Sequence, residues 1–497
     1  MKQKIAAAKP WELLLFTASF LVLIFLCFYR LDSGAILGFD EGRHGVNALE
    51  MYRNGEPLVN TYRGETDYFN LKPPLSMYLI MTGYRLFGIG SLGLRFFSAV
   101  CYLLTALLAS SYVWKKSDAL SASFCMLLFA GSKLFLLNSM ARNGDANAVY
   151  NLFFMIAMLS LLKLTAQKKQ GLTNCLSACC GIGIGFSMAF LSKSYHAMMI
   201  LIIVFFTMLW EKCLVKLHAK EWSLMALCGF LPPAVWAVLR FQRDGFHFLS
   251  EMLLTDVFRR TKVSIAGKNG GPFYYFVSLV EEDTTLSVLF LLLLVFLIAF
   301  YCGEKPEKQE KGLYVMVILP LILFSIPKTK VITYIYPSIM GLYIWGSLAF
   351  YTLRRKMQLS LSIRCIRIAG LLLAAVLPLY GLVGIVKTES NEQPNPFELM
   401  VTNKPALFEG SCNIYSTFQN PYMDNAWFQD EVLNIEMYTD LHCVDGGHEG
   451  FRSEQGEAYL VIDKILGTLP ADFALEPAEQ VIFEDEWYLI VKKTAAH

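Results

Sequence analysis

The sequence predicts an all-α polytopic membrane bundle with a small C-terminal α+β domain, and three observations carry that prediction. Hydrophobic residues make up 55% of the 497 residues and charged residues only 17%, whereas a soluble chain carries about a quarter charged residues. The apolar residues fall in runs of about 18 to 22, the length a helix needs to cross ~30 Å of hydrocarbon. The stretch 387–497 breaks the pattern: it is acidic, holds no such run and has the composition of a soluble domain.

The first run follows Lys2, Lys4 and Lys9 and extends from Trp11 to Tyr29. It is long for a signal-peptide core, and no small-x-small cleavage site follows it. Bulky Leu26 before Cys27 argues against a lipoprotein signal. An uncleaved first membrane helix is the expectation. About 11 to 13 spans are expected in all. Those assigned are 11–30, 92–114, 119–137, 146–164, 173–191, 197–210, 222–239, 283–301, 313–326, 332–351 and 368–386. The segment 74–89 is apolar but short and reads as an interfacial helix in the first outer loop.

Basic residues set the orientation. With the N-terminus in the cytoplasm, Lys115 and Lys116 fall inside, as do Lys163, Lys168, Lys169, Lys212, Lys216, Lys220, Lys305, Lys308, Lys311, Arg354, Arg355 and Lys356. The outer face then holds the loops 31–91 and 240–282 and the tail from Lys387. Two domains result: a transmembrane module over 1–386 and an extracytoplasmic α+β domain over 387–497. In the tail, Ala458–Asp463 reads as a strand and Val481–Lys492 as a hairpin turning near Glu484–Glu486. Of the twelve cysteines only Cys412 and Cys443 lie in the tail. An oxidising compartment permits their disulfide, and two thiols fit equally well. The outer segments hold no N-x-S/T sequon, which leans toward a bacterial inner membrane.

A net charge of +2 gives no reason to expect a nucleic-acid partner. The placement of charge is more telling. Arg142, Lys193, Lys328 and Lys330 lie in short outer loops, and Arg43, Lys72, Arg259, Arg260 and Lys262 in the long ones. Each alone reads as an interface anchor. Together they suit an anionic ligand at the outer surface.

Four motifs concentrate the chemistry. Gly38-Phe39-Asp40-Glu41-Gly42-Arg43-His44 sets paired carboxylates beside an arginine. The plain reading is a helix start with Asp40 as N-cap; the functional one is a general base at the membrane surface. Asn70-Leu71-Lys72-Pro73-Pro74 holds Lys72 on a stiff backbone, as an interface lysine or a phosphate ligand. Ser139-Met140-Ala141-Arg142-Asn143-Gly144-Asp145 places Asp145 on the same side as Asp40, either paired with Arg142 or capping the next span, or serving the site. Lys328, Lys330 and Tyr334 bring cations and a hydroxyl to the same face, as anchors or headgroup ligands. The glycines from Gly181 to Gly185 lie in an apolar span and predict close helix packing. His442, Cys443 and His448 match no zinc spacing.

In this order the motifs resemble the GT-C membrane glycosyltransferases, on the branch of the protein O-mannosyltransferases and the lipid A aminoarabinose transferases. That pattern is Asp-Glu, Lys-Pro-Pro, Ala-Arg-x-x-x-Asp and Lys-x-x-x-Tyr-x-x-Pro. Its counterparts here are Asp40-Glu41, Lys72-Pro73-Pro74, Ala141-Arg142 with Asp145, and Lys330 with Tyr334 and Pro337; the third is one residue tighter than in some relatives. The likeness covers roughly 10–350 and leaves the tail unaccounted for. It implies a polyprenyl-phosphate-linked sugar as donor, inversion at the anomeric carbon, and a lipid, glycan or protein acceptor. Asp40 would be the catalytic base. Glu41 and Asp145 would orient sugar or acceptor. Arg43, Lys72, Arg142, Lys193, Lys328, Lys330 and Tyr334 would bind substrate. Some relatives hold a metal through an acidic residue before the lysine and a histidine in the later outer loop. Here Leu71 and the stretch Ala266-Gly267-Lys268-Asn269 stand in those places, so no protein-bound metal or cofactor is expected. A transporter or flippase of a lipid-linked sugar is the alternative, but it would keep ionisable groups near the midplane of repeated halves. A non-catalytic anchor for the tail would leave the outer charges unexplained.

Overall fold

The computed structural model describes residues 8–259, 270–271, 273–282, 311–355, 379–388, 390–391, 395–418, 427–465 and 474–494. The expected span 283–301, most of 368–386, the residues Arg260, Lys262, Lys305, Lys308 and Lys356, and the stretch 266–269 lie outside these residues.

The described part of 1–386 is helical apart from short turns and one small hairpin. Helix α1 (Pro10–Phe28) begins with a proline at its first position, where the missing N–H has no intrahelical partner to lose. The loop that follows folds into α2 (Asp40–Asn54), the two-residue strands β1 (Thr61–Tyr62) and β2 (Glu65–Thr66), and α3 (Leu75–Phe87). Pro74 takes the N-cap position of α3, so the Lys72-Pro73-Pro74 run delivers the chain straight into the expected short helix. Helix α4 (Ser91–Lys116), α5 (Asn147–Lys169), α6 (Leu176–Lys193), α7 (Met198–Trp210), α8 (Ala219–Asp244), α9 (Lys311–Ser325) and α10 (Tyr336–Arg355) follow.

Among the described residues, five helical stretches are long and apolar enough to cross a membrane: α1, α4, α5, α8 and Leu176–Trp210. The last joins α6 and α7 through a single tight turn, Ser194–Ala197. The expected span 197–210 is thus a helix of 13 residues, roughly 20 Å long and short of the hydrocarbon thickness. The expected span 119–137 is also divided: Ala119–Ala130 ends at Gly131, and Ser132 caps a separate short turn of helix, Lys133–Leu137.

The glycine run does what an apolar span with small residues should. A Cβ on Gly183 would stand 2.6 Å from the Met225 carbonyl of α8, and one on Gly185 would stand 2.7 Å from the Phe153 carbonyl of α5. Three backbones therefore meet along α6 with no side chain between them. At the other end of the same helices Lys168 and Glu221 form a buried pair at 2.8 Å.

The tail folds around a sheet of five strands, β3 (Asn413–Ser416), β4 (His442–Cys443), β5 (Ala458–Asp463), β6 (Glu479–Glu484) and β7 (Tyr488–Lys493), in the order β4-β3-β5-β7-β6. Strand β3 runs parallel to β4 and β5, and β7 runs antiparallel to β5 and β6. The expected strand Ala458–Asp463 is β5, and the expected hairpin is β6–β7. Strand β5 is buried on both faces: Ala458, Leu460 and Ile462 pack with Phe451 and Val491, while Tyr459 and Val461 turn toward helix α11 (Gln429–Tyr438). Cys412 and Cys443 are both thiols.

The tail also builds a common core with the loop after α1. Val432, Leu433 and Ile435 of α11 pack with Val46 and Leu49 of α2 and Met77 and Tyr84 of α3. The approach depends on two glycines of α2. A Cβ on Gly42 would come 2.6 Å from the backbone nitrogen of Asp430, and one on Gly45 would collide with the Leu433 side chain.

Candidate active site

Asp40 is the first residue of α2 rather than its N-cap. Phe39 holds the cap position with φ 71°, a left-handed conformation that an aromatic residue adopts at some cost in strain. The side chain of Asp40 is 47% exposed, while that of Asp145 is 2% exposed. Lys72 stands between them, its Nζ 3.6 Å from Asp40 Oδ1 and 3.8 Å from Asp145 Oδ1. Three residues that are far apart in sequence and come from three of the motifs thus share one place.

Asp145 is held from behind. Its Oδ1 accepts from the Ala146 N–H at 2.5 Å, and its Oδ2 accepts from the Asn147 side-chain amide. The Asn147 carbonyl oxygen in turn accepts from Lys193 Nζ. The Lys193 ammonium lies 5.9 Å from the Tyr150 ring centre and 5.8 Å from that of Tyr334. Tyr334 packs against His196 and Phe324. Asp40, Lys72, Asp145, Lys193 and Tyr334 therefore form one connected cluster.

His44, one turn after Asp40, is fully buried and donates from Nδ1 to the Asp40 carbonyl at 2.7 Å. Burial, and next the Lys72 charge, push its pKa down to about 4. It is a neutral imidazole at physiological pH, and the positive charge beside Asp40 is that of Lys72.

The other expected site residues have partners within the protein or, for Lys328, stand exposed. Glu41 is turned inward. It is buried in a bidentate pair with Arg95 of α4, at 2.7 and 2.9 Å, and also accepts from the Leu37 and Gly144 N–H groups. One carboxylate thus ties the chain after α1, helix α4 and the Arg142 loop together. Arg43 makes a bidentate pair with Asp67 at 2.8 and 2.7 Å and is covered by the Tyr62 and Phe69 rings. Burial raises the Asp67 carboxyl, but the Arg43 guanidinium outweighs it and holds that group below the usual carboxylate range. Arg142 donates to the carbonyls of Leu26, Tyr29 and Arg30, closing the C-terminal end of α1, where a cation meets unpaired carbonyls and the negative end of the dipole. Lys330 turns back on its own loop, donating to the Ser325 and Pro327 carbonyls at 2.7 Å. Lys328 is exposed.

Asn147 and His44 are the site residues that the motifs passed over. Both sit at sequence distances that give them away: Asn147 is two residues after Asp145, and His44 is four after Asp40, on the same face of α2.

Residues 71–236 match the family model described as dolichyl-phosphate-mannose-protein mannosyltransferase. The chain is 25% identical over 332 residues to an undecaprenyl phosphate-alpha-4-amino-4-deoxy-L-arabinose arabinosyl transferase of Pseudomonas fluorescens, covering 64% of this chain and 55% of the relative. It is 27% identical over 334 residues to the transferase of that name from Aeromonas hydrophila, covering 64% and 57%. The match thus spans little more than half the length of these curated relatives. Among solved structures, ArnT from Cupriavidus metallidurans bound to undecaprenyl phosphate superposes with a TM-score of 0.69 at 16% identity, covering 98% of this chain and 99% of that one. The Archaeoglobus fulgidus oligosaccharyltransferase gives 0.59 at 15% identity, covering 92% and 70%. Ordered motifs, fold and relatives converge: the chain is a multi-pass membrane protein that shares the fold of these structures and resembles the GT-C membrane glycosyltransferases, on the branch of the protein O-mannosyltransferases and the aminoarabinose transferases.

Proposed function

We propose that this protein transfers a sugar from a polyprenyl-phosphate carrier to an acceptor hydroxyl at the outer face of a bacterial inner membrane, with inversion at the anomeric carbon. The observation that carries the reading is Lys72 standing between Asp40 and Asp145. A half-exposed carboxylate, a buried one and a shared ammonium supply what this displacement needs. The acceptor oxygen attacks the anomeric carbon and loses its proton to Asp40. The bond from that carbon to the phosphate oxygen breaks, and the electron pair leaves with polyprenyl phosphate. Lys72 moves toward the growing negative charge, where a preplaced cation stabilises the transition state. The phosphate is a weak base and needs no strong general acid. Asp145 keeps Lys72 in reach of both partners.

In this reading residues 1–386 form the catalytic module with the N-terminus in the cytoplasm, and 387–497 form a domain on the outer side. The acceptor is lipid A, another glycan or a protein. The test is purified protein with undecaprenyl-phosphate-linked sugars and an acceptor extract, with release of undecaprenyl phosphate as the readout. Release that depends on acceptor supports the proposal. Movement of labelled lipid-linked sugar across vesicles without release would replace it with the flippase reading.

A further inference from the structure

Asn147 is the first residue of α5 and is 1% exposed. Its side-chain amide has two different ends, and each faces a charge of the matching sign. The carbonyl oxygen receives the Lys193 ammonium, and the NH2 group faces the Asp145 carboxylate. Turning the amide over would set oxygen against carboxylate and NH2 against ammonium, so its neighbours fix one orientation. No other neutral side chain of this size offers both a donor and an acceptor in that geometry. Aspartate would pair with Lys193 but leave Asp145 facing a second carboxylate. Leucine would satisfy neither.

We infer that Asn147 is a positioning residue, and that Lys193 acts on the site through it rather than by touching the donor phosphate. Lys193 ends α6 and Asn147 begins α5, two helices packed together through Gly185. The amide therefore fixes Asp145 against a rigid helix pair and leaves Oδ1 toward Lys72, 3.8 Å away. The continuous order is Lys193, Asn147, Asp145, Lys72, Asp40, with the amide separating the buried cation from the buried anion. The inference rests on the proposed transfer reaction for its binding and kinetic arms and not for its unfolding arm.

The test uses Asn147→Ala, Lys193→Met, the double variant and Lys72→Met in the full-length protein, by three measurements. The first is binding of undecaprenyl phosphate alone, by thermal shift. Lys193→Met should stay within about twofold of wild type while Lys72→Met weakens at least about tenfold, since only Lys72 meets the phosphate. The second is turnover. Each of Asn147→Ala and Lys193→Met should lower kcat about tenfold with donor KM within about twofold, and the double variant should be no worse than the poorer single. The third is thermal unfolding without ligand, where the same pair should again be non-additive. Weakened phosphate binding in Lys193→Met, or effects of the two changes that multiply, would overturn the inference. Wild-type protein that neither binds the lipid nor turns over would sink the proposed function instead. The unfolding cycle would then judge the amide link by itself.

Discussion

Asp40→Asn is the sharpest test of the site because its chemical and structural effects separate by size. Asparagine keeps the shape of the side chain and removes its ability to take a proton. Loss of a general base lowers kcat at least about a hundredfold, or about 2.7 kcal/mol on the barrier. The structural loss is smaller. The Asp40 side chain is about half exposed, stands 3.6 Å from Lys72, and sits in the first turn of α2, where a carboxylate adds about 0.3–1 kcal/mol. Folding should therefore be nearly unchanged while turnover collapses. The same change at Asp145 would be less clean, because its buried Oδ2 faces the Asn147 NH2, and an amide there sets donor against donor. The assay is release of undecaprenyl phosphate under saturating donor, with donor KM and thermal midpoint measured in parallel. A well-folded Asp40→Asn protein within a few-fold of wild-type kcat would refute Asp40 as the base.

Three further outcomes follow from the geometry. Glu41→Gln leaves Arg95 buried without its charge partner and should destabilise the protein by about 3–5 kcal/mol, seen as a fall in thermal midpoint, whereas a role confined to substrate would leave that midpoint alone. Gly42→Ala puts a methyl group 2.6 Å from the Asp430 backbone nitrogen and should loosen the α2–α11 contact, read as faster proteolysis of the tail with the bundle still folded. Burial, and then the Asp430 charge, raise the Glu431 carboxyl to about 8 from the usual 4.5. The folded tail thus holds that proton more tightly than the unfolded chain, so its contribution is full below pH 4.5 and is lost as pH rises through about 8. Glu431→Gln keeps an oxygen for the Phe428 N–H and should flatten the decline in thermal midpoint between pH 6 and 9, by the equivalent of about 2–3 kcal/mol.

Much of the architecture was legible because membrane spans and buried strands are written in local runs. The run from Trp11 to Tyr29 became α1, and Ala458–Asp463 became β5 with its bounds unchanged. Helix breaks were less legible. Gly131-Ser132 and the turn at Ser194–Ala197 sit inside apolar stretches whose summed hydropathy conceals them. At the candidate site, the motifs named residues that the structure brings together but did not reveal their partners. A sequence gives the sign of a charge and not its partner. Glu41 pairs with Arg95, 54 residues on; Arg43 with Asp67, 24 on; and Arg142 reaches back 116 residues to the end of α1. Each of these looked like a free substrate ligand because its partner lay in another motif or in none. Asp40, Lys72 and Asp145 could be singled out because they lie in three motifs on two loops that the charge pattern puts on one membrane face.

The two glycines on the back of α2 bear on how the tail can be exchanged between relatives. The helix that begins with Asp40 is seated against the tail through Gly42 and Gly45, so the two surfaces are cut to each other at backbone distance. A tail borrowed from a relative with a bulkier residue at the α11 contact would lift α2 and carry Asp40 away from Lys72. Swapping tails alone should therefore yield inactive hybrids. The unit of exchange is the tail together with the segment from Gly38 to Asn54.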